Sequence, residues 1–251
     1  MTTEPPQEPS YSWNETLRTI IIAVLLAVTF RSFLFEPFHI PSGSMKSNLL
    51  IGDYLFVSKY RYGYSRFSFP LGIDFFDGRV GEISKPKRGD IIVFRLPSRT
   101  SIDYIKRLIG LPGDVVQVRG GLVYINGKVL QRVPVDEFAD SNEHTGNIES
   151  IPRLRETLPE GKDILILKQR KFGLADDTKA FVVPEGHYFF MGDNRDNSQD
   201  SRFDEVGFVP EENIVGRAEI IFFSIDGAVN LSNPANWIKA IRFNRFFTLL
   251  N

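Results

Sequence analysis

The sequence predicts a mostly β protein behind one N-terminal transmembrane helix, with a second β subdomain inserted into the first. Three observations lead there: an apolar run from Thr19 to Phe35, period-two runs split by turn residues from Phe38 onward, and a glycine-turned meander at 115–130. The 251 residues are enough for one large β domain or two smaller ones. With 30 basic and 31 acidic residues the net charge is −1, so the basic excess expected of a nucleic-acid partner is missing. Cysteine is absent, which excludes disulfides and thiolate metal sites. The 22 phenylalanines hint at contact with lipid or apolar peptide.

Residues 1–18 are polar and proline-rich and are expected as a disordered tail. The run 19–35 that follows is about 17 residues, the lower limit for crossing roughly 30 Å of hydrocarbon, with Arg31 snorkelling to the far interface. A cleaved signal peptide would have a basic leader, whereas Glu4, Glu8 and Glu15 outnumber Arg18 here, and bulky Phe30, Phe33 and Phe35 stand where a small-residue cleavage site belongs. A buried core helix would need a cover that nothing before it provides. An uncleaved anchor is therefore expected, but sparse basic residues on both flanks leave its orientation open.

Strands are expected at 54–60, 90–96, 103–110, 187–193 and 217–225. The meander at 115–130 turns at Gly120-Gly121 and at Asn126-Gly127, the latter a strong type I′ signal. Residues 131–180 read as more polar and less regular. The expected organisation is a β core over 36–114 and 185–251, split by an inserted β subdomain over 115–184. The aromatic stretch 60–76 suits either an interfacial belt or a hairpin packed on the core. The segment 236–250, with Trp237, Phe243, Phe246 and Phe247 among Lys239, Arg242 and Arg245, suits equally a helix lying in a membrane interface or a terminal helix packed on the domain.

The turn Ser42-Gly43-Ser44 raises the possibility of a serine nucleophile, which needs a base. None of the three histidines sits in a motif: His39 is too close along an extended segment, His144 lies in the polar stretch and His187 opens a strand. In the strand 103–110, Tyr104, Lys106 and Leu108 share one face while Ile105, Arg107 and Ile109 share the other. Apolar neighbours would lower the lysine pKa, as a general-base lysine requires; a solvated surface Lys-Arg pair is the plainer alternative. The stretch 191–202 fails as a calcium loop. Counted from Asp193, its third position is Arg195, its sixth Ser198 and its twelfth Asp204. A self-satisfied loop of ion pairs and Asx turns, able to hold Ser198 in place, fits better.

In this order, PSGSM, LLIGDYLFVSK, RGDIIVF, YIKRLIGLPGD and GDNRDNSQDSR resemble the bacterial type I signal peptidases, membrane-bound serine proteases with a Ser-Lys dyad. The resemblance covers about Phe38 to Ile225. It implies a signal-peptidase-like β core with an inserted β subdomain, Ser44 as nucleophile and Lys106 as general base. It also implies an oxyanion hole from the Ser44 backbone N–H and the Ser42 hydroxyl, Ser198 orienting the lysine, and Tyr104 lining the same pocket. Asp193 and Asp200, with Arg107 and Arg202, match structural ion pairs behind the site. The implied partners are exported preproteins, cut after small-x-small sequences, and the lipid bilayer, with no cofactor, metal or nucleic acid. The implied place is the bacterial cytoplasmic (inner) membrane, crossed once, with the tail inside and the catalytic domain on the outer, periplasmic side. One departure is that Lys46-Ser47-Asn48 stands where the family commonly carries a variable residue and then Pro-Thr, a loss of proline expected to loosen the turn. A dedicated-precursor Ser-Lys peptidase and a membrane-tethered, non-catalytic β scaffold are the remaining readings.

Overall fold

A computed structural model describes residues 12–69, 78–141, 148–226 and 237–250. Helix α1 (Trp13–Phe33) begins at an N-cap Ser12, with Glu15 in its first turn and Arg31 in its last. The helix thus takes in Trp13 to Arg18, which were expected in the disordered tail, and ends before Leu34 and Phe35, which were expected in the anchor. A carboxylate in the first turn, Glu15, at the positive end of the helix dipole, favours the earlier start. Its 21 residues extend about 31 Å at 1.5 Å per residue, enough to cross a membrane, and almost none of its surface is buried.

Strands β1 (Phe35–His39), β2 (Asp53–Ser58), β3 (Ile91–Leu96) and β4 (Arg99–Gly110) follow. Between β4 and the return of the chain to this sheet, two smaller sheets form. One contains β5 (Val115–Arg119), β6 (Leu122–Ile125) and β7 (Lys128–Val129). The other contains β8 (Gln131–Ser141), β9 (Ile148–Thr157) and β10 (Asp163–Leu167). Strand β11 (Phe181–Val182) pairs with β5. The chain then supplies β12 (His187–Met191), β13 (Val209–Pro210), β14 (Ile214–Ser224) and β15 (Thr248–Leu249). The main sheet runs β1-β2-β14-β3-β4-β12-β13, with β15 beside β14. The paired strands are antiparallel.

The meander turns as expected: Asn126 and Gly127 have φ of 51° and 77°, the pair of positive values a type I′ turn requires. The stretch 131–180 is more regular than expected. Strands β8 and β9 form a long hairpin whose opposed residues include Arg132 with Glu156 and Asp136 with Arg153, both ion-paired. Cross-strand charge pairs stabilise such a ladder while hiding the apolar alternation by which a strand is usually read. Ile109 of β4 and Phe189 and Met191 of β12 share a core with Val116, Val118, Val123, Ile164 and Ile166, so the inserted strands pack directly on two strands of the main sheet.

The segment 236–250 is neither of the expected helices. Its described part contains one helical turn, α2 (Trp237–Ala240), a 3-10 turn at Phe243–Arg245 and the short strand β15. Its cations are used inward: Arg245 pairs with fully buried Asp53 at 2.6 Å, and Arg242 Nη1 donates to the Ile51 carbonyl at 2.9 Å. Of the aromatic stretch 60–76, only residues up to Phe69 are described. There Tyr64 and Phe69 pack edge-on against Phe33 at the end of α1, and the Tyr64 hydroxyl donates to the Phe33 carbonyl.

Candidate active site

Antiparallel pairing of β1 with β2 leaves the loop between them to carry the Ser42-Gly43-Ser44 turn. A 3-10 turn at Gly43–Met45 follows extended Ser42 (φ −131°), and Met45, buried in the core below, pins it. Ser44 is buried and Ser42 exposed, with their hydroxyl oxygens 3.4 Å apart. Across the turn, β4 presents Lys106. Its Nζ lies 2.7 Å from Ser44 Oγ and donates to the Ile105 carbonyl at 3.0 Å. Lys106 is only 4 % exposed, and Tyr104, on the same strand face, places its ring 5.0 Å from Nζ. Burial pushes the lysine down to about 8, against the raising fields of Asp200 and Asp193.

The pleat separates the two adjacent cations as their alternation required. Arg107 turns away from Ser44, with Nε and Nη2 each 2.7 Å from an oxygen of Asp193 and Nη1 donating to the Gly89 carbonyl. Asp200 forms the second pair, with Arg202, at 2.8 Å. Burial alone would raise the Asp200 carboxyl, but Arg202, the Gly192 N–H and the Ser198 hydroxyl together hold it below the usual range. The loop 192–202 lies on the Ser42-Gly43-Ser44 turn: the Asn194 N–H donates to the Ser44 carbonyl at 3.1 Å, and its side chain donates to the Gly43 carbonyl at 3.3 Å. Gly192 permits this approach, because a Cβ there would sit 2.2 Å from Ser198 Oγ and 2.6 Å from the Ser44 carbonyl oxygen. Ser198 thus sits behind the site with its oxygen buried, while the hydrogen bonds of Lys106 Nζ go to Ser44 and Ile105.

A buried lysine with its amine on a serine hydroxyl has the arrangement of a nucleophile beside a base. The family model described as signal peptidase, peptidase S26, matches residues 13–223. The chain belongs to that family. A signal peptidase I of Rickettsia canadensis (strain McKiel) is 40 % identical over 247 residues, covering 92 % of this chain and 91 % of that protein. One of Rickettsia typhi (strain ATCC VR-144 / Wilmington) is 42 % identical over 255 residues, covering 93 % and 94 %. The crystal structure of a signal peptidase I from Enterococcus faecalis V583 is 33 % identical, covers 54 % of this chain and 98 % of its own, and has a TM-score of 0.32. Family membership makes this a serine endopeptidase of the type I signal peptidase kind.

Four residues around Ser44 and Lys106 escape a reading by motif. Asn194 lies inside the GDNRDNSQDSR run but acts through its backbone and amide, which carry no charge signature. Asn48 donates to Asp193 at 2.7 Å and to the Leu165 carbonyl at 2.9 Å. Lys46 Nζ reaches Asp140 of β8 at 2.8 Å. Fully buried Glu156 of β9 accepts from Arg195 and from Arg132. Each of these last three partnerships joins distant segments of the chain, and only the positive φ of Ser47, beside Lys46 and Asn48, marks the place on the backbone. At 97°, Ser47 is in a conformation closed to proline. The side chains on either side of it, Lys46 and Asn48, are held by Asp140, Asp193 and the Leu165 carbonyl.

Proposed function

We propose that this peptidase removes N-terminal signal peptides from exported preproteins, after small-x-small sequences, with Ser44 as nucleophile and Lys106 as general base. The observation that carries the reading is the 2.7 Å separation of Lys106 Nζ and Ser44 Oγ in a buried setting that brings the lysine to about 8. In its neutral form Nζ accepts the Oγ proton as Oγ attacks the scissile carbonyl carbon. The oxyanion then faces the Ser44 backbone N–H and the hydroxyl of Ser42. The lysine passes its proton to the departing amine, and afterwards activates the water that hydrolyses the acyl-enzyme. Tyr104 shields Nζ from water, and Ser198 with the Asp200–Arg202 and Asp193–Arg107 pairs supports the loop behind it.

The reading places α1 across the bacterial cytoplasmic membrane, with the β domain on the outer, periplasmic side where an exported chain emerges. An aromatic path supports close contact with lipid. It runs from Phe30 and Phe35 through Phe56 to Phe222, stacked at 4.3 Å, and on the same sheet from Tyr54 through Phe223 to Phe246 and exposed Phe247. A protein lacking residues 1–33 is expected to stay active and still to cosediment with vesicles. Phe243→Ser with Phe247→Ser should weaken that cosedimentation; a truncated domain that never leaves the supernatant would contradict the lipid-facing surface. The function itself is tested by incubating the detergent-solubilised protein with a preprotein and sequencing the product. A new N-terminus directly after a small-x-small sequence supports the proposal, and an intact preprotein contradicts it.

A further inference from the structure

Three sets of side-chain hydrogen bonds tie the stretch just after the Ser44 turn to β8, to the C-terminal segment, and to β10 with Asp193. The aliphatic chain of Lys46 lies over Gly43, whose added Cβ would fall 2.9 Å from Lys46 Cε, while Nζ donates to both oxygens of Asp140 at 2.8 and 3.1 Å. Arg245 Nη2 donates to the Asn48 carbonyl at 2.9 Å. The Asn48 amide divides its hydrogens between the Leu165 carbonyl on β10 and Oδ2 of Asp193. Asp193 is in turn the bidentate partner of Arg107, the residue next to Lys106, and its own carbonyl accepts the Leu167 N–H at 2.8 Å. The route from the serine turn through Asn48, Asp193 and Arg107 to the base strand is thus a chain of short, largely buried polar contacts with β10 attached at its middle.

We propose that Asn48 is a positioning residue of the peptidase: it fixes the separation of Ser44 and Lys106 by tying the serine turn to Asp193 and to the inserted strand β10. The inserted strands thereby take part in catalysis without touching substrate. This rests on the Ser44–Lys106 reading above. The physical basis is that a displacement of about 1 Å between reacting groups can cost on the order of a hundredfold in rate. A residue that only sets geometry acts on the chemical step and leaves ground-state binding alone. Asn48 also has an electrostatic role. Asp200 and Asp193 are the carboxylates that raise Lys106, partly neutralised by Arg202 and Arg107 respectively, and Tyr104 is a further titratable neighbour. Removing the amide donor leaves Asp193 with less compensation.

The test is steady-state kinetics of full-length Asn48→Ala on a synthetic preprotein, with thermal unfolding recorded alongside. The expected result is a kcat lower by about ten- to a hundredfold, a KM within about twofold, and an alkaline shift of the rising limb of the pH–rate profile. An unchanged kcat and limb overturn the proposal. Asn48→Thr keeps one donor and the branched size, so it carries the test should the alanine variant fail to fold. A kcat clearly below the parent's at constant KM supports positioning, and a parental kcat overturns it. Lys106→Met is measured beside both. Inactivity of that control with full activity of the Asn48 variants would sink this proposal alone, whereas an active control would sink the dyad itself.

Discussion

Ser44→Ala protein is expected to keep its fold and lose processing of a preprotein by a factor on the order of 10⁴ to 10⁶, because nucleophile and base act as one unit. Lys106→Met should lose as much. Methionine fills the same buried space beside Tyr104 and removes only the amine, so the loss cannot be assigned to a cavity. Combining the two changes should cost little more than either alone. Such non-additivity distinguishes a shared step from two independent contributions. Single-turnover cleavage gives the measurement, with circular dichroism confirming the fold. A Ser44→Ala protein that processed within tenfold of the parent would refute Ser44 as the nucleophile.

Asp193→Ala is expected to produce the largest loss of stability. It strips fully buried Arg107 of its bidentate partner and takes from Asn48 one of its two acceptors. Leaving a buried charge uncompensated costs roughly 3–5 kcal/mol. For a chain of this size, at about 2–4 °C per kcal/mol, that lowers Tm by roughly 6–20 °C. Arg153, paired with Asp136 in an exposed part of the β8–β9 hairpin, offers the contrast: Arg153→Ala should move Tm by no more than about 4 °C, since solvent screens such exposed pairs. Equal shifts in the two variants would contradict the structural role given to the Asp193–Arg107 pair.

The strands that frame the site were readable because their chemistry is local. Alternation put Lys106 and Arg107 on opposite faces, and the structure sends one to Ser44 and the other to Asp193. The Asn-Gly turn needed only the backbone preference of two residues. Three features resisted because charged residues masked the pattern that would have shown them. The β8–β9 hairpin hides its period behind ion pairs. The segment 236–250 has the composition of an amphipathic helix, yet Arg242 and Arg245 are taken up by Ile51, Asn48 and Asp53. Its Phe247 adopts φ of 58°, outside any helix. The anchor's start at Trp13 was obscured by Glu15 and Arg18, charges that a helix end in an interface tolerates. At the site itself, Asn48 and Glu156 matter through partners far away in the chain, which no spacing rule connects.

The dyad is tested most directly by the pH dependence of kcat/KM, which reports the ionisation of the free enzyme. With Lys106 at about 8, about one molecule in ten holds the base neutral at pH 7, against about one in 2,500 for an unperturbed lysine near 10.4. The rate should therefore climb as a single group deprotonates, with its midpoint near pH 8 and an unchanged limb in His39→Ala, His144→Ala and His187→Ala proteins. Two of those histidines have other surroundings: His39 stands by the Tyr54 ring at 5.7 Å and His187 Nδ1 lies 2.9 Å from the Glu185 carbonyl oxygen, while His144 lies outside the described residues. Lys106→Arg should be inactive throughout, because guanidinium stays charged. A midpoint near 8 that no histidine substitution moves is the result a Ser44–Lys106 dyad requires. A limb centred near pH 6.5 that disappears with one histidine would contradict it.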